Sequence, residues 1–108
     1  MVPLVECIEA LATVDGIDVL WIGHFDLTNS MGIPAQFEHP QYLDAVKRVI
    51  AACDAAGKAA GIMAGSVADA QLALKQGFRI VAYSGDLWIY QQGLRDGLAA
   101  IRATIPQS

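Results

Sequence analysis

GIDVLWIGHFDLTNSMG, residues 16–32, decides how this chain is read. Asp15-Gly16 is a turn signal, and Ile17-Asp18-Val19-Leu20-Trp21-Ile22 follows as a short, mostly apolar run with β-branched residues. A run of that kind, without clean polar alternation, fits a strand covered on both faces, as in parallel sheets. Gly23 ends it and opens a polar loop, expected over 23–36, that carries Asp26, Thr28, Asn29 and two glycines.

The same pattern recurs on the C-terminal side. His39-Pro40 opens a helix whose apolar stripe is Leu43, Val46, Val49, Ile50 and Cys53, with Asp44, Lys47, Arg48 and Asp54 turned outward. Gly57 stops it. A second strand is predicted over 58–63, and Ala64-Gly65 turns into a third helix that Ser66 can cap, with Asp69 in its first turn. Gly77 ends that helix, a third strand follows over 79–83, and Ser84-Gly85-Asp86 leads into a last helix striped by Leu87, Tyr90, Leu94, Leu98 and Ile101. On the N-terminal side, Pro3 suits a first helical turn, and Leu4, Val5, Ile8, Leu11 and Ala12 recur at helical spacing.

The order is therefore one helix and then three β-α units, which means an α/β fold with parallel strands. Three such strands make a poor independent domain, because parallel sheets need both faces covered and usually more strands. A (β/α)8 barrel takes roughly 250 residues. Residues 1–108 read as a partial barrel domain, the last three β/α units with the helix before them; an open doubly wound sheet could supply the same piece.

Composition agrees. Hydrophobic residues make up 55% of the chain and charged ones 17%, against about 25% charged in ordinary soluble domains. No apolar run approaches the roughly 20 residues of a membrane span, and no basic segment leads into an apolar one as in a signal peptide. Membrane partners are not expected, and the placement expected is cytoplasmic. Net charge is −4 without a Lys/Arg cluster, which speaks against nucleic acid as a partner. Cys7 and Cys53 have no C-x-x-C spacing and are expected to be buried thiols in a reducing compartment.

Chemistry in either architecture sits at the C-terminal ends of the strands. Here those ends are Gly23-His24-Phe25-Asp26, Met63-Ala64-Gly65-Ser66 and Ser84-Gly85-Asp86. Asp26 can ligate a hard cation such as Mg²⁺ or Mn²⁺, or it can cap the turn over 27–31. Asp86 has the same two readings, with the cap favoured. His24 can act as a base or ligand, or be structural. His39 belongs to its helix start. Trp21, Trp88 and Tyr90 read as core or helix-packing residues. There is no G-x-S-x-G, P-loop or G-x-G-x-x-G.

The stretch 16–32, with His39-Pro40, Gly57-Lys58-Ala59-Ala60-Gly61-Ile62-Met63 and Ala82-Tyr83-Ser84-Gly85-Asp86, resembles the HpcH/HpaI aldolase family, whose sixth strand typically reads G-[IV]-D-x-[IL]-[FW]-[IV]-G-P-x-D-L-S-x-x-x-G. The resemblance covers essentially the whole chain. It implies a (β/α)8 barrel, commonly hexameric with exchanged C-terminal helices. It also implies a class II pyruvate aldolase that uses a divalent metal, Mg²⁺ or Mn²⁺ and possibly Co²⁺, to cleave a small 2-keto acid to pyruvate and an aldehyde.

The family's metal Asp falls on Asp26. Its metal Glu would fall immediately before Met1, and its catalytic His and Arg further upstream, so no catalytic residue is expected within the chain. Backbone N–H groups of Phe25 and Asp26 would bind the pyruvyl carboxylate, and Met63 matches the apolar pocket residue. His24 stands where the family has Pro. A lone carboxylate is a poor Mg²⁺ site, so weak metal binding and doubtful activity are expected of the 108 residues alone. The competing expectations are a citrate-lyase-β or malyl-CoA-type lyase, and a non-enzymatic truncated fragment or assembly module.

Overall fold

A computed structural model describes residues 5–106. The elements are α1 (Ile8–Ala12), β1 (Val19–Ile22), α2 (His24–Ser30), α3 (Pro40–Ala56), β2 (Ala59–Ala64), α4 (Val67–Gln76), β3 (Ile80–Tyr83) and α5 (Asp86–Arg102). Pro3 and Leu4 lie outside the described residues. The strands form one sheet in the order β1-β2-β3. Both pairings are parallel, with Val19 opposite Ala59 and Gly61 opposite Ile80.

Local chemistry sets the boundaries. His39 caps α3 by accepting the Gln41 N–H on Nδ1 at 3.1 Å, and Ser66 caps α4 by accepting the Asp69 N–H at 3.1 Å. Gly57 and Gly77 take left-handed φ of 71° and 113° at the ends of α3 and α4, a conformation that carries little penalty without a Cβ. Helix α3 lays Tyr42, Val46, Val49, Ile50 and Cys53 onto the sheet, where Ile22, Ala60, Ile62 and Phe78 complete the core. Arg48 ties α1 to α3, its Nε and Nη2 donating to the two Glu9 carboxylate oxygens at 2.8 and 2.9 Å. The pair is exposed and adds little stability of its own.

Beyond strand ends that shift by one or two residues, the structure departs from the sequence reading in four places. The 23–36 segment is not all loop: α2 occupies 24–30, because Leu27 and Thr28 turn inward and are fully buried. The strands are not covered on both faces. Helices cover one side only, and on the other Trp21 and Ile80 remain 49% and 40% exposed. Trp21, Trp88 and Tyr90 are accordingly exposed rather than core residues. On the bare face the Trp21 ring leans over Gly61, where a Cβ would come within 2.8 Å of it. Cys7 is exposed rather than buried, at a break in the first helical segment, while Cys53 is buried.

Helix α5 buries none of its residues. The radius of gyration is 18.1 Å and the longest extent 64 Å, whereas a compact chain of this length has a radius of about 13 Å. No helix among the described residues is long and apolar enough to cross a membrane.

Candidate active-site rim

Parallel strands deliver their C-terminal ends to one rim, and three turns meet there. The first is built by α2. Its N-cap is Gly23, and no side chain caps it. Asp26 is thus not a capping residue; it stands exposed in the first turn of α2. The first N–H groups of a helix have no intrahelical acceptor, so those of Phe25 and Asp26 stand open at the start of α2. Asp86, by contrast, does local work: its carboxylate accepts the Leu87 N–H at 2.8 Å in the first turn of α5. The second and third turns touch through the Ser84 N–H, which donates to the Ala64 carbonyl at 2.7 Å.

His24 is half-buried in an aromatic cluster. Its ring lies 4.6 Å from Phe25 and 5.0 Å from Phe37, and Phe37 in turn lies 5.4 Å from Tyr42. A cleft of about 510 Å³ opens beside the cluster and takes in His24, Phe25, Phe37, Met63 and Trp88. The structure thus brings His24, Phe25 and Met63 to one cleft, while Asp26 lies outside its lining. Met63 shares the bare face of the sheet with Gly61, two residues before it on β2. Among the described residues no three His, Cys, Asp or Glu side chains gather as a metal site.

Burial holds the His24 imidazole below its ordinary pKa of 6.5, and the Asp69 carboxylate on α4 opposes that shift. A base whose folded pKa is depressed stabilises the fold above its unfolded value and loses that contribution as pH falls below it. In a whole barrel carrying this segment we therefore expect the His24 ring-proton NMR titration to have its midpoint below 6.5. Asp69→Asn should lower the midpoint further, and acidification through this range should lower thermal stability. A midpoint above 6.5 would contradict the burial.

Sequence reasoning missed Thr28 and Phe37. Thr28 is the one buried polar side chain among the described residues. Its signal was a hydroxyl directly after the buried Leu27; Phe37 gave none, since its contacts close across a loop.

Three parallel β/α units whose strand ends share one rim, with an exposed carboxylate and an apolar side chain on it, make this an α/β protein of the parallel-sheet class. The chain belongs to the HpcH/HpaI aldolase/citrate lyase family, whose model matches residues 4–91. It is 37% identical over 102 residues to a 2-keto-3-deoxy-L-rhamnonate aldolase of Klebsiella pneumoniae, covering 94% of this chain and 38% of that protein. Its fold matches an HpcH/HpaI aldolase from Desulfitobacterium hafniense at TM-score 0.84 and 30% identity, over 97% of this chain and 40% of that one. An aldolase/citrate lyase family protein from Burkholderia cenocepacia matches at TM-score 0.86 and 35% identity, over 91% and 38%. The chain thus spans about two fifths of these relatives, and its three strands are three β/α units of their barrel.

Proposed function

We propose that this chain forms three β/α units of a divalent-metal-dependent pyruvate aldolase, which cleaves a 2-keto-3-deoxy (4-hydroxy-2-oxo) acid to pyruvate and an aldehyde. The observation that supports this most is the placement of Asp26, exposed in the uncapped first turn after β1. Names of similar proteins, such as 2-keto-3-deoxy-L-rhamnonate aldolase, point the same way.

An exposed carboxylate is the hard oxygen donor that Mg²⁺ or Mn²⁺ takes, so Asp26 fits as one ligand. The described residues do not complete the set, and the remaining ligands would come from other parts of the barrel. When bound, the cation supplies Lewis-acid stabilisation of negative charge on the keto oxygen. The N–H groups of Phe25 and Asp26 hold the keto-acid carboxylate. Met63 and the His24–Phe25 pair wall the pocket and exclude water. In the reaction the C3–C4 bond breaks, its electron pair passes into the keto-acid half, and the C4 hydroxyl loses its proton as the aldehyde forms. Protonation at C3 then gives pyruvate. The groups that move these protons lie outside the chain, and a homo-oligomer is the expected assembly.

The test is a chimera in which this chain replaces the matching segment of the Klebsiella aldolase. Release of pyruvate from a 2-keto-3-deoxy acid, dependent on Mg²⁺ or Mn²⁺, is the expected result. Turnover of a CoA thioester with none of 2-keto-3-deoxy acids would transfer the assignment to the acyl-CoA lyases.

A further inference from the structure

Thr28 holds together two parts of the rim. Its Oγ1 donates to the His24 carbonyl at 2.9 Å and shares that proton with the Phe25 carbonyl at 3.1 Å. The same oxygen accepts the Ala35 N–H at 3.0 Å. The Thr28 carbonyl accepts the Ile33 N–H, also at 3.0 Å. Residue 28 therefore fastens the first turn of α2 on one side and the 31–37 loop on the other.

That loop is held against its own preferences. Ala35 sits at φ 56°, in the left-handed region that a residue with a Cβ rarely adopts. Such conformations persist where surrounding contacts over-determine them, and they gather at functional sites. Two residues further on, Phe37 packs edge-on against Phe25 at 5.2 Å and beside His24 at 5.0 Å. The Thr28 side chain is fully buried, so the hydroxyl itself has no water to turn to and depends on these three partners. A threonine bonding back along its own helix is commonplace. A threonine that also accepts an N–H seven residues ahead, from a strained residue, is a fixture between two segments.

We infer that Thr28 is a positioning residue: through the Phe25–Asp26 turn it sets where the carboxylate and the two open N–H groups stand, and through Ala35 it seats the Phe37 wall. This rests on the aldolase reading for what the turn binds, but not for the fixture itself. Removing the hydroxyl takes the acceptor from the Ala35 N–H and the donor from both carbonyls, so the turn loosens while β2 and α3 keep their packing.

The experiment uses the chimera with Thr28→Val, Thr28→Ser and, should the valine variant not yield soluble protein, Thr28→Cys, which keeps the volume and a weak S–H donor. Amide hydrogen exchange is read at the hydrogen-bonded N–H groups of the two segments, Leu27 in one and Ala35 and Gln36 in the other, with α3 as internal reference. Pyruvate affinity is read by calorimetry in the presence of Mn²⁺. In Thr28→Val the expected result is exchange at least about tenfold faster in those two segments alone, and pyruvate bound about tenfold more weakly. Thr28→Ser should restore both to within about twofold, because the hydroxyl is what acts.

A lowered melting temperature with unchanged exchange at Leu27 and unchanged pyruvate affinity would overturn the inference and leave Thr28 a stabilising residue only. If the chimera bound no pyruvate in any form, the aldolase reading would fall. The exchange comparison would still decide whether the fixture exists.

Discussion

Asp26→Ala in the chimera lowers kcat/KM for retro-aldol cleavage by about a thousandfold or more, while thermal stability barely moves. The size follows from what is lost. A Lewis-acid cation contributes several kcal/mol of charge stabilisation, and about 4 kcal/mol corresponds to a thousandfold in rate. The small effect on stability follows from exposure, since surface substitutions stay within about 0.5 kcal/mol unless they break a specific device. The one device at risk is the charge near the N-terminus of α2, worth roughly 0.3–1 kcal/mol. Asp26→Glu separates position from charge: it keeps the carboxylate but moves it by a methylene, and a displacement of about 1 Å costs on the order of a hundredfold. Steady-state rates with the cation titrated, beside melting curves of the same preparations, check both. An alanine variant that retained cation-dependent turnover would remove Asp26 from the site.

The 108 residues alone are expected to associate, and to show no cooperative melt as a monomer. Edge strands β1 and β3 each leave one side unpaired within the sheet, and parallel edges of apolar sequence recruit other chains. The uncovered sheet face exposes Trp21 and Ile80, and Leu87, Leu94, Leu98, Ile101 and Ile105 are exposed along and just beyond α5. Burying such a side chain from full exposure stabilises by about 1.5–3 kcal/mol; these are about half exposed, so the five along and just beyond α5 contribute roughly 4–8 kcal/mol, within the estimated 4–15 kcal/mol that association costs. Light scattering at micromolar concentration should therefore report assemblies. Co-expression with the remaining barrel of the Klebsiella relative should disperse them. A monodisperse monomer with a sharp thermal transition would show that the bare faces are tolerated.

Both expectations draw on features that were unequally legible in the sequence. The three strands and the three long helices were readable because their signals are local: Gly57 and Gly77 at the ends of α3 and α4, His39 and Ser66 at their starts, and in each helix a stripe long enough to show its period. Helix α2 was not, since seven residues give too few turns for a stripe and its polar letters resemble a loop. The bare sheet face was hidden for a different reason. An apolar letter such as Trp21 or Ile80 records what the whole barrel covers, not what these residues cover. Asp26 could be placed at a strand end but not told from a cap until the N-cap proved to be Gly23. Thr28 and Phe37 act across a loop, through contacts that carry no periodic mark.

The 18.1 Å radius bears on how any preparation is to be weighed. With α5 standing away from the sheet as an unsupported rod, even a single copy tumbles and elutes like a heavier, rounder particle. Column calibration against spherical standards would then overstate how many copies are joined. Mass must come from a method blind to outline, such as sedimentation equilibrium, before subunits are counted.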